Sequence, residues 1–77
     1  MITLDQMKAL FGKIDSLQEA GVEVQNVEFH QAFDELFVYI AAVGKPGIEI
    51  TSDDTRFKIT KDANIKPQTR NFWVQGD

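Results

Sequence analysis

Few side chains in this sequence could carry out covalent or proton-transfer chemistry. Nucleophilic catalysis needs a Ser, Thr or Cys beside a base that a third group orients. The chain has no cysteine and one histidine, His30. Ser16 falls on the polar side of a predicted helix and Ser52 in a predicted turn, and neither sits in a Gly-x-Ser-x-Gly elbow. Two carboxylate pairs could do acid–base work in a cleft. Asp53-Asp54 lies in turn sequence, where Asp is favoured because its side chain bonds nearby amides. Asp34-Glu35 are neighbours on a predicted helix, so their side chains diverge by about 100°. Neither pair extends into a calcium-loop pattern. The absence of Cys and the single His also exclude Cys-based and His-rich metal sites. Gly44-Lys45-Pro46-Gly47 leaves a predicted helix instead of entering one, so no helix N-terminus completes a phosphate cradle there. The expectation is a non-enzymatic protein with no cofactor and no metal.

Charge and apolar surplus point to binding instead. The formal charge is −4. It is concentrated in residues 1–47, where Asp5, Asp15, Glu19, Glu23, Glu28, Asp34 and Glu35 outweigh Lys8, Lys13 and Lys45. Residues 48–77 are balanced. An acidic surface repels phosphate backbones and attracts basic protein surfaces. The expected partner is therefore a protein with a basic surface, and the seven carboxylates are its candidate contacts. Arg56, Lys58, Lys61, Lys66 and Arg70, followed by Phe72 and Trp73, give some basic-aromatic mixing of the kind that binds nucleic acid. Arg56 and Lys58 equally fit a solvated strand face, because they alternate with Phe57 and Ile59. The second predicted helix carries Glu28, Gln31, Asp34 and Glu35, the wrong sign for a recognition helix.

The elements that must position these residues follow from periodicity. Thr3-Leu4-Asp5-Gln6 reads as a capping box. Leu4, Met7, Leu10, Phe11, Ile14 and Leu17 recur at helical spacing, and Gly21 stops the run, so residues 4–20 are predicted helical. Phe29, Ala32, Phe33, Leu36, Ile40 and Val43 also recur at helical spacing before Gly44 and Pro46, which predicts a second helix over 27–43. Leu36–Ile40 is rich in strand formers as well, and a short apolar run does not decide between the two by period alone. Ile48–Thr51 and Arg56–Thr60 alternate around Ser52-Asp53-Asp54-Thr55. They predict a hairpin over 48–60 with Ile48, Ile50, Phe57 and Ile59 inward. Residues 61–70 are polar, with Pro67 limiting regular structure, and 71–75 supply a candidate third strand.

The fold class expected is α+β: two N-terminal helices packed on a small antiparallel sheet, in a single domain spanning 1–77. If the second helix holds, its later half is apolar nearly all round. Phe37, Val38 and Tyr39 then become candidates for a partner or oligomer surface, unless the first helix and the hairpin enclose them. Trp73 is a candidate interface anchor or part of the third strand. The longest apolar run, Leu36–Val43, is too short to span a bilayer, and a cytoplasmic location is expected. The function expected is a small acidic protein-binding module. A concrete form is a phage-type inhibitor that masks a basic surface of a host machine such as a nucleic-acid-binding defence complex. The alternatives are a homo-oligomeric assembly protein and a winged-helix-like DNA-binding regulator.

Overall fold

Thr3 opens the first helix as its sequence requires. Its hydroxyl accepts the Gln6 amide and its own amide donates to Gln6 Oε1, both at 3.1 Å. In a computed structural model describing residues 1–68, helix α1 spans Leu4–Glu19. It ends where Gly21 takes a φ of +96°, a conformation that costs glycine least. Leu10 and Leu17 are buried on its inner face.

The predicted second helix is not formed. Residues 22–44 make a long antiparallel hairpin of β1 (Val22–Ala32) and β2 (Glu35–Gly44), closed by the pair Ala32–Glu35. The reason lies in how β2 is buried. Leu36, Val38 and Ile40 point toward α1 and are nearly sealed, while Phe37, on the opposite face, is only 5% exposed. A central strand covered on both faces reads as a continuous apolar run, as a buried helix does.

The chain continues through a one-turn helix α2 (Ser52–Thr55), strand β3 (Arg56–Ile59) and strand β4 (Ile65–Pro67). The four strands form one antiparallel sheet in chain order. The hairpin predicted over 48–60 is thus half formed. Phe57 and Ile59 point inward as expected, but β3 pairs with β2 and β4 instead of with 48–51. Ile48 is exposed and Ile50 half-buried. The turn-rich Ser52–Thr55 winds into helix, with the Thr51 amide and hydroxyl both donating to Asp54 Oδ2. β4 lies in a stretch read as irregular because of Pro67, and proline is tolerated there because the strand lies at the end of the sheet order. The candidate third strand 71–75 lies outside the described residues.

The fold is therefore α+β, with one main helix and a short second one beside a four-stranded sheet among the described residues. Leu10, Leu17, Val22, Leu36, Val38, Ile40, Phe57 and Ile59 form the core between α1 and the sheet. Among the described residues, no helix is long and apolar enough to cross a membrane.

Candidate functional site

The loop joining β1 to β2 has only two residues, and both have positive φ: Phe33 at +55° and Asp34 at +65°. That is the type I′ geometry favoured by hairpin twist, and it normally selects Asn-Gly or Asp-Gly. A bulky side chain at positive φ is strained by about 1–2 kcal/mol. No core contact offsets this, because Phe33 is 88% exposed.

The strained tip is held from below by Gln6, which is 1% exposed. Its Nε2 donates to Asp34 O at 3.0 Å, to Thr60 O at 3.1 Å and to Ile59 O at 3.4 Å. With Oε1 engaged by Thr3, one amide joins the start of α1, the β1–β2 tip and the end of β3. This places Leu4 and Asp5, in the first turn of α1, close to the tip. Leu4 is 70% exposed, and Phe29, four residues before the tip on β1, is 49% exposed. Phe11 of α1 is also exposed. Other exposed apolar groups, Val43, Ile48 and Ile65, lie on β2, in the loop before α2 and on β4.

The seven candidate carboxylates do not share one face. Asp5, Asp15 and Glu19 lie on α1. Glu23 and Glu28 lie on the sheet face turned away from α1, where their cross-strand partners are Val43 and Tyr39. Asp34 is in the tip. These six are exposed, whereas Glu35 is half-buried against Lys58 at 3.4 Å. The pair Asp34-Glu35 is consequently split, one member in a turn and the other in an ion pair. Asp53 is exposed, and Asp54 meets Lys13 at 3.2 Å. Burial pushes the Asp54 carboxyl up, but the Lys13 ammonium and the Thr51 amide and hydroxyl together hold it below its usual value. Lys13 also lies 5.8 Å from the centroid of the Phe57 ring.

The apolar candidates are placed differently from what a second helix implied. Val38 is fully sealed in the core, and Phe37 is 5% exposed on the opposite face of the sheet, so neither is presented at the surface. Tyr39 is half-buried, and its hydroxyl donates to Gln68 Oε1 at 3.3 Å. Trp73 lies outside the described residues. On the outer sheet face, register sets His30, Phe37, Lys58 and Lys66 in one row and Glu28, Tyr39 and Arg56 in the next. Charge therefore runs from acidic at β1 to basic at β3 and β4. A shallow recess of about 260 Å³ beside Asn26, Glu28 and Tyr39 is smaller than the roughly 300–1,000 Å³ of small-molecule sites. Among the described residues, no group of three or more His, Cys, Asp or Glu could hold a metal ion.

Sequence reasoning missed Phe33 and half of what Gln6 does. Nothing in Phe33-Asp34 signals a two-residue turn, and the capping box showed only the helix side of Gln6. Comparison of the chain with protein families, curated proteins and solved structures finds no match.

Proposed function

We propose that this protein is a non-enzymatic protein-binding module whose contact surface centres on the β1–β2 tip. The observation that carries this reading is Phe33, a large aromatic held at positive φ and almost fully exposed. Strain kept without an internal packing return is a feature of functional sites. Aromatic anchors dominate interface energetics, with polar groups around them acting as a rim. Here the first turn of α1, with Leu4 and Asp5, is tied to the tip through Gln6, and Asp34 lies in the tip itself. The complementary partner is a protein with an apolar pocket edged by Lys and Arg. Occupying such a pocket would mask a basic surface of the kind that handles nucleic acid.

The test is affinity capture of a partner from extracts of the source cell with the wild-type chain, with Phe33→Ala in parallel. A protein held by the wild type and bound at least roughly tenfold more weakly by Phe33→Ala supports the reading. Equal capture by both chains rejects the tip as the contact. Affinity that is flat from low to high salt rejects the acidic rim.

A further inference from the structure

Among the described residues, the non-glycine positions with positive φ are Phe33, Asp34 and Ala63, the last at +66°. Phe33 and Asp34 make the β1–β2 tip. Ala63 belongs to the turn between β3 and β4, where the Thr60 amide donates to Asn64 O at 2.9 Å and the Ala63 amide to Thr60 O at 2.8 Å. A left-handed residue at the end of a short hairpin loop is normally glycine. The two turns are far apart in the chain, yet both meet the side chain of Gln6.

The Gln6 Nε2 group has two protons. Its nearer acceptors are Asp34 O at 3.0 Å, in the tip, and Thr60 O at 3.1 Å, in the β3–β4 turn, while Ile59 O is longer at 3.4 Å. Oε1 accepts the Thr3 amide, so the amide plane is fixed from a third side. Thr60 O is also the carbonyl that closes the β3–β4 turn, and Thr60 Oγ1 accepts the Asn64 amide at 3.1 Å. Gln6 is 1% exposed, so bulk water does not replace a lost acceptor. When the tip opens and Asp34 O moves away, a buried N–H is left to the longer contact with Ile59 O. The side chain then loses the constraint that aims it at Thr60 O.

We propose that the tip and the β3–β4 turn are a coupled pair with Gln6 as the clamp, each closing more firmly when the other is closed. Coupling of this kind is reciprocal. A ligand that grips Lys61 and Asp62, both exposed in the β3–β4 turn, steadies Phe33, and a partner that seats Phe33 steadies Lys61 and Asp62. The coupling is a property of the folded chain. It does not require the tip to be the contact surface, and partner capture indifferent to Phe33→Ala would leave it standing.

Native-state amide exchange of the full chain, followed by NMR, tests it. Phe33→Asn with Asp34→Gly favours the closed tip and keeps the carbonyl that Gln6 reaches. In that variant the Ala63 and Asn64 amides are expected to exchange roughly fivefold more slowly than in wild type. The Asp54 amide, which donates to Thr51 O in α2 away from Gln6, is expected to change little. If the double variant does not fold, Phe33→Gly makes the same comparison. Gln6→Met keeps the bulk of the side chain without its donor, and in that background the tip change is expected to leave Ala63 and Asn64 unaffected. Ala63 and Asn64 amides indifferent to the tip overturn the proposal, and so does an Asp54 amide that slows as much as they do. The full effect persisting in a folded Gln6→Met variant overturns Gln6 as the clamp. If Gln6→Met does not fold, the comparison of Ala63 and Asn64 with Asp54 still decides.

Discussion

The Gln6 side-chain amide donates to the Asp34 carbonyl at 3.0 Å, joining the first turn of α1 to a tight turn 28 residues further along the chain. The same nitrogen also reaches Thr60 O, which accepts the Ala63 amide as well, and at 3.4 Å Ile59 O.

Gln6→Ala is expected to destabilise the fold by about 2–4 kcal/mol, since it removes the cap acceptor and the donor to Asp34 O and empties the site of a side chain that is 1% exposed. In a chain of this size that lowers Tm by on the order of 10–20 °C. Gln6→Glu keeps the capping acceptor but sets a carboxylate against carbonyl oxygens. It should be about as damaging at neutral pH and partly recover on acidification, when the protonated acid can donate. Urea unfolding of both variants at neutral and mildly acidic pH checks this.

Replacing the tip with Asn-Gly, through Phe33→Asn and Asp34→Gly, relieves the positive-φ strain. Stability is expected to rise by about 1–2 kcal/mol while partner capture is lost. A destabilised double variant would contradict the strain argument.

Asp54 supplies a pH prediction. Its carboxyl is held below its usual value in the folded protein. Its contribution is therefore full above the unfolded-state value near 3.8 and is lost as pH falls through the lowered folded-state value. Asp54→Asn should cost under about 1 kcal/mol at neutral pH, because the pair with Lys13 is partly exposed. The gap from wild type should close on strong acidification, as denaturant titrations across the acid range would reveal.

Two glycines should respond in opposite ways to alanine. A Cβ on Gly44 would stand 2.6 Å from the Ile48 carbonyl oxygen, a backbone atom that cannot step aside alone. Gly44→Ala is expected to cost about 1–3 kcal/mol. A Cβ on Gly12 meets nothing within 4 Å, and Gly12 lies within α1. Gly12→Ala should stabilise by about 0.5–1 kcal/mol. Thermal melts of the two variants provide the check.

Helix α1 was legible because its cap, apolar stripe and glycine stop are all local. The inward setting of Phe57 and Ile59 was legible because alternation survives any choice of partner strand. The β1–β2 hairpin was hidden by two specific features. Val22 and Val24 alternate with Val27 and Phe29 only if one residue is skipped, and the bulge at Gln25 makes that skip. Phe33-Asp34 carries none of the residues that normally mark a two-residue turn. The chain reversal left no trace, and residues 29, 33, 36 and 40 kept a helical rhythm. Reading 27–43 as helix made Phe37 and Val38 look like surplus surface, when they are the inside of a central strand. The acidity of residues 1–47 was plain in the sequence. Its division between α1, the outer sheet face and the tip depends on register, which composition does not contain.

The strained tip also bears on how the protein folds. A hairpin with Asn-Gly at its turn can nucleate there, because the loop is populated before the strands meet. Phe33-Asp34 disfavours that route, so the turn is a poor starting point for β1 and β2. The expected order is that contacts of Leu36 and Val38 with Phe57, Ile59 and Leu10 form first and the reversal closes last, once Gln6 is in place to hold it. Changes at the tip should then act mainly on the unfolding rate, and changes at Val38 on the rate of folding.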